Sequence, residues 1–145
     1  MANICLMSLV ENKLEPEMIN NESMEMYLET VYIIEKSNGH AHGVDIAKRL
    51  GVSKPSVTKA MNQLKSKGLI NKEAYGSITL TQKGKALSEK IYYDHQLISS
   101  FLEHSLGLCP DEAAGNACKM EHVLSDQMLE SIKTYLNKHE IRIQK

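Results

Sequence analysis

The sequence predicts a mainly α fold in two parts, three helices closed by a β-hairpin and then a half built of helices alone. Three observations predict it. Apolar residues recur at helical spacing from Met24 to Ile34, from Val57 to Leu64 and from Leu87 to Leu102. Gly51, Gly68 and the Gly107-Pro110 segment punctuate those stretches. One segment, LINKEAYGSITLT, holds two short strand-like runs around a turn containing Gly76.

The elements follow in order. Residues 1–22 lack clear periodicity and contain Pro16, so they are expected to form a mobile leader. Ser23 caps a first helix that ends at Ser37-Asn38-Gly39. Val44 to Leu50 reads as a second helix, stopped by Gly51. Ser53 caps a third, with Pro55 tolerated in its first turn. The hairpin pairs Leu69-Ile70 with Ile78-Leu80. A long helix is expected from Thr81 to His104, with Gly84 as its weakest point, and two more over Pro110–Leu124 and Ser125–Lys138. The domains are then a leader (1–22), a winged helix-turn-helix (23–85) and an all-helical domain (86–145).

A 145-residue chain with 42% hydrophobic residues can bury a modest core. No stretch approaches the ~20 apolar residues that span a bilayer, so a cytoplasmic protein without membrane partners is expected. Cys5, Cys109 and Cys118 are odd in number and read as free thiols. Charge is unevenly spread: residues 23–85 hold ten Lys/Arg against five acids, while residues 1–22 and 86–145 are each net acidic. A basic module between acidic flanks suits a polyanionic ligand.

Within that module, GVDIAKRLGVSKPSVTKAMNQL has the packing grammar of a helix-turn-helix. Ala47 lets two helices approach and Gly51 makes the turn, while Ile46, Leu50, Val52, Val57 and Ala60 face the first helix. The third helix then presents Ser53, Lys54, Pro55, Ser56, Thr58 and Lys59 to a major groove. Hydroxyls and lysines suit phosphates and base edges, and Pro55 offers an apolar surface to a thymine methyl. Lys72 and Tyr75 of the hairpin are candidates for phosphate or minor-groove contact.

In ACKMEHVLSDQ, Cys118, Glu121 and His122 stand at i, i+3 and i+4. On a helix all three share one face and can converge on one ion. A cysteine that is merely buried beside a solvated Glu-His pair fits the same spacing. Together, SMEMYLETVY, the helix-turn-helix, the hairpin with LTQKGKAL, and ACKMEHVLSD resemble the diphtheria-toxin-repressor / manganese-transport-regulator family over residues 23–138. That resemblance implies a homodimeric, metal-activated repressor binding a palindromic operator in double-stranded DNA, with residues 86–145 as its dimerisation and metal-binding domain. It also implies metal ligands at Met26, Cys118, Glu121 and His122, with His95 and Glu29 as further ligands.

The chain departs from both branches of that family. Iron-type members carry an acid and a histidine where this chain has Ser99 and Ala114, and manganese-type members carry carboxylates at the places of Met26 and Cys118. Ending at Lys145, it resembles the short two-domain form. Thioether and thiolate donors favour iron(II) over manganese(II), although cobalt(II), nickel(II) and zinc(II) bind such sites at least as well in vitro. The expectation is therefore an iron(II) sensor, with manganese(II) as the alternative. Met26 also fits as a core residue, and His95 as a histidine bonded within a helical core. A different class of reading is a metal-independent winged-helix regulator with a thiol switch at Cys118. An enzyme has little support, since no nucleophile-base pair or glycine-rich phosphate loop accompanies the cluster.

Overall fold

The computed structural model describes residues 21–143, with the side chain of Asn21 excepted. The expected leader thus lies outside the described residues, apart from its last two positions. Those two open helix α1 (Asn21–Asn38), which begins before Ser23 and carries Glu22 in its first turn, where a carboxylate suits the helix dipole. Helices α2 (Gly43–Leu50) and α3 (Lys54–Ser66) follow. Gly51 between them takes the left-handed conformation (φ 65°) that ends α2. The Ser53 hydroxyl accepts the Ser56 amide at 3.3 Å and so caps α3.

The hairpin forms from β2 (Ile70–Lys72) and β3 (Ser77–Leu80), joined by a 3-10 turn over Ala74–Gly76. Sequence reading did not foresee a third strand, β1 (Ala41–His42), which makes β3 central in the order β1-β3-β2. Both pairings are antiparallel, with Ala41 opposite Ile78 and Ile70 opposite Leu80. Helix α4 (Gln82–Leu106) begins one residue later than expected because Thr81 is its cap, the hydroxyl accepting the Gly84 amide at 3.0 Å. Helices α5 (Pro110–Met120) and α6 (Asp126–Lys138) complete the described chain, with the Ser125 hydroxyl capping α6 through the Met128 amide.

Two compact units result, one running to Glu89 and the other beginning at Lys90. The first closes over Leu28, Val31, Ile46, Leu50, Val57, Met61, Leu64 and Ile78, the apolar faces of α1 to α3 with the sheet. Gly84 has a packing role there: a Cβ at this position would stand 1.9 Å from the Leu69 carbonyl oxygen, so the start of α4 lies directly on the chain entering the hairpin. A residue that reads as the weak point of a helix is where helix and backbone meet most closely. The second unit buries Leu97, Ile98 and Leu102 of α4 against Ala113 and Ala117 of α5 and Leu129, Ile132 and Leu136 of α6.

Candidate nucleic-acid interface and metal centre

Helix α3 separates its residues cleanly by face. Val57, Ala60, Met61 and Leu64 are buried, while Ser53, Lys54, Pro55, Ser56, Thr58 and Lys59 are exposed. The Ser53 and Ser56 hydroxyls lie 2.8 Å apart, and the Thr58 hydroxyl donates to the Lys54 carbonyl. The helix therefore presents hydroxyls, ammonium groups and the Pro55 ring along its first two turns. Lys72 is exposed at the end of β2, and Tyr75 stands at the tip of the hairpin fully exposed (101%) with a left-handed φ of 72°. That conformation costs a non-glycine residue energy.

The second unit brings three predicted donors together. His95 on α4, Cys118 on α5 and Glu121 each place one ligand atom within 4.8 Å of the others. The His95 Nδ1 lies 2.7 Å from the Glu121 Oε2, and Glu121 is buried (7% exposed). The one-face reading of Cys118, Glu121 and His122 needs correction, because α5 ends at Met120 and not at Leu124. Glu121 continues the helical path for one residue, and His122 falls in the turn closed by Val123 and Leu124 donating to the Met120 carbonyl. His122 nonetheless reaches Glu121, its Nε2 being 3.3 Å from Oε1. The two remaining candidates lie on α1 of the first unit. Met26 is buried (8% exposed) yet stands outside that unit's apolar core cluster, and Glu29, one turn on, is half-buried.

The free-thiol reading holds for Cys109, which is free and exposed, and is corrected for Cys118, which is disulfide-bonded. Cys5 lies outside the described residues. A disulfide sulfur is no thiolate, so Cys118 enters a ligand set only once reduced.

Glu121 Oε1 is a buried carboxylate oxygen with no hydrogen-bond partner. Leaving such an acceptor unsatisfied costs about 1–3 kcal/mol or more. An acceptor-only carboxylate beside two imidazoles, joined by a thiolate once Cys118 is reduced, is a donor set that a divalent transition ion satisfies. The residues therefore fit a metal ion.

Residues 21–78 match the family described as the iron dependent repressor, N-terminal DNA binding domain, and residues 81–142 its metal binding and dimerisation domain. The chain is 37% identical over 124 residues to the uncharacterized HTH-type transcriptional regulator MJ0568 of Methanocaldococcus jannaschii, spanning 85% of this chain and 99% of that protein. The chain belongs to the iron-dependent repressor family. A second relative, the transcriptional regulator MntR of Escherichia coli O157:H7, is 34% identical over 118 residues, covering 81% of this chain and 76% of that one. The structure of the manganese regulator SloR superposes with a TM-score of 0.69 at 31% identity, over 83% of this chain but 55% of that chain. The present chain thus spans little more than half of SloR. Family membership makes it a metal-dependent, DNA-binding transcriptional repressor, and the two relatives named above are transcriptional regulators. Among the described residues no helix is long and apolar enough to cross a membrane.

Proposed function

We propose that this repressor is activated by iron(II), acts as a homodimer on a palindromic operator, and controls metal-transport genes in the cytoplasm. The observation that carries the reading is the meeting of His95, Cys118 and Glu121, whose ligand atoms lie within 4.8 Å of one another, with the second Glu121 oxygen beside His122 and without a hydrogen bond. His95, Glu121 and His122 would hold the ion, with the reduced Cys118 thiolate and the Met26 thioether as the soft donors that favour iron. When bound, the ion supplies positive charge and coordination positions that the donors fill. Glu121 orients the His95 ring through its Oε2, which fixes the tautomer available to a metal. Met26 and Glu29, which the family resemblance implies as ligands, are proposed to join the set. An ion bound better in one arrangement of the chain than in another would bias the protein toward the one that grips DNA. Each protomer would then place Ser53, Lys54, Pro55, Ser56, Thr58 and Lys59 on one half-site, with Lys72 and Tyr75 beside it.

A manganese(II) sensor is the second reading. The names of two relatives, MntR and the manganese regulator SloR, favour it. So does the hard donor group of Glu29, His95, Glu121 and His122.

Operator binding by fluorescence anisotropy against free metal tests both, using reduced, oxygen-free protein and a duplex selected from a random pool with metal present. The parent is expected to respond to iron(II), or cobalt(II) as its air-stable substitute, at concentrations where manganese(II) is ineffective. Met26→Asp combined with Cys118→Glu makes the set hard, and this double variant is expected to respond to manganese(II). His122→Ala is expected to abolish activation by every metal. A double variant that keeps the parent's preference removes both sulfurs from the site. Binding that a chelator leaves intact and peroxide abolishes points instead to the thiol switch at Cys118.

A further inference from the structure

The central strand of the sheet has more donors than its neighbours can accept. On the β2 side, Thr81 donates to the Leu69 carbonyl at 3.1 Å and Ser77 accepts from the Glu73 amide at 2.9 Å. Because backbone groups alternate along a strand, Ile78 and Leu80 direct theirs to the other side, toward β1. There β1 offers only two residues, paired with Ser77 and Ile78. The Leu80 amide has therefore run past the end of its neighbour. It donates instead to the Glu35 Oε2 at 2.6 Å, a carboxylate near the end of α1 that stands in for the missing residue of β1.

We infer that Glu35 is a positioning residue for DNA binding: it fastens the hairpin to α1 and thereby sets where Lys72 and Tyr75 meet the duplex. The inference rests on the reading of those two residues as DNA contacts. The rest of the hairpin explains why one bond has this effect. Its base is pinned near α3, where the Thr81 hydroxyl donates to the Gly68 carbonyl at 2.6 Å and the Leu69 amide to the Leu64 carbonyl at 3.0 Å. Its tip, Glu73 to Tyr75, is exposed. Between base and tip, the side of β3 facing away from β2 is held by two strand pairs and by Glu35. A charge-assisted bond to a half-buried amide is among the stronger of such ties.

A double-mutant cycle on the full chain, read as DNA affinity with metal present on the duplex described above, tests this. Lys72→Ala with Tyr75→Ala is expected to weaken binding about tenfold, within the range that the loss of one specific DNA contact gives. Glu35→Ala is expected to reproduce much of that loss, and to add nothing when combined with the hairpin pair. Glu35→Gln keeps an acceptor oxygen and should recover most of the affinity. Hydrogen exchange gives an independent reading: the Leu80 amide should exchange faster in Glu35→Ala and close to the parent rate in Glu35→Gln, in protein whose thermal unfolding remains cooperative. Additive losses, or Glu35→Ala affinity equal to the parent while the hairpin pair weakens binding, overturn the role of Glu35. An unchanged affinity in the hairpin pair instead fails the DNA-contact reading, and the inference fails with it.

Discussion

The two units treat buried polar groups differently. In the first, the buried Thr30 hydroxyl donates to the Met26 carbonyl, the Ser88 hydroxyl to the Gly84 carbonyl, and the stranded Leu80 amide finds Glu35; among the described residues Arg49 Nε is the one buried side-chain atom there without a partner. In the second, two carboxylates are buried. Asp94 is neutralised by Lys90 at 2.8 Å, but Glu121 keeps one oxygen unsatisfied against His122. Folding alone rewards the first arrangement and penalises the second. The first unit thus leaves its candidate DNA contacts on the surface, while the second buries its candidate metal ligands with one carboxylate oxygen unsatisfied.

That contrast breaks if the first unit proves insensitive to its core. Leu64 is fully buried at the centre of the cluster, so Leu64→Ala is expected to cost about 2–5 kcal/mol in urea-induced unfolding. Gly84→Ala should cost about 1–3 kcal/mol or more, since the new methyl meets backbone rather than a flexible side chain. A change under about 0.5 kcal/mol in Leu64→Ala would break the contrast, and one that small in Gly84→Ala would mean that α4 does not pack on the hairpin base as described.

Much of the first unit was legible because each boundary carries a residue with a local physical reason. Gly51 supplies a positive φ, while Ser53 and Thr81 supply hydroxyl caps. What escaped is what local pattern does not encode. Strand β1 is two residues long, too short for any alternation, and the Glu35 bond joins residues 45 apart in sequence. In the second unit, α5 was drawn four residues too long because neither glycine nor proline marks its end at Met120; the chain simply leaves the helix so that Ser125 can cap the next. The meeting of His95 with Cys118 and Glu121 entered through family resemblance and not through spacing, since His95 lies 26 residues from Glu121. The bonded state of Cys118 was hidden too, because the number and spacing of cysteines do not say which sulfur is oxidised.

A smaller effect sharpens the contrast at the surface of the first unit. Lys59 lies on the exposed face of α3, so Lys59→Ala should leave unfolding within about 0.5 kcal/mol of the parent. DNA binding should nonetheless weaken. A lost phosphate contact lowers the salt slope by about one unit, and a lost guanine contact costs about 1–3 kcal/mol at the specific site alone. Unchanged affinity for both specific and random duplexes would remove Lys59 from the interface.

A change that is small in the metal-free protein separates the two units most sharply. Glu121→Gln replaces a buried carboxylate by a neutral amide of the same shape. Its oxygen can still accept from the His95 ring, and the unsatisfied charged oxygen is gone. The loss of a charge-assisted bond and the relief of desolvation oppose each other, so the unfolding free energy of the metal-free protein should move by less than about 1 kcal/mol. Metal should reveal what that carboxylate is for. At a free concentration of 100 times the dissociation constant, an ion that binds the folded protein alone stabilises it by about 2.7 kcal/mol; a variant binding 100-fold more weakly would gain about 0.4 kcal/mol at the same concentration. Thermal unfolding of reduced protein with and without cobalt(II) reads both quantities. If Glu121→Gln destabilises the metal-free protein as severely as Leu64→Ala, the carboxylate belongs to the scaffold. If metal stabilises the variant as much as the parent, the ion is held by other residues, and the unsatisfied oxygen has no ligand to explain it.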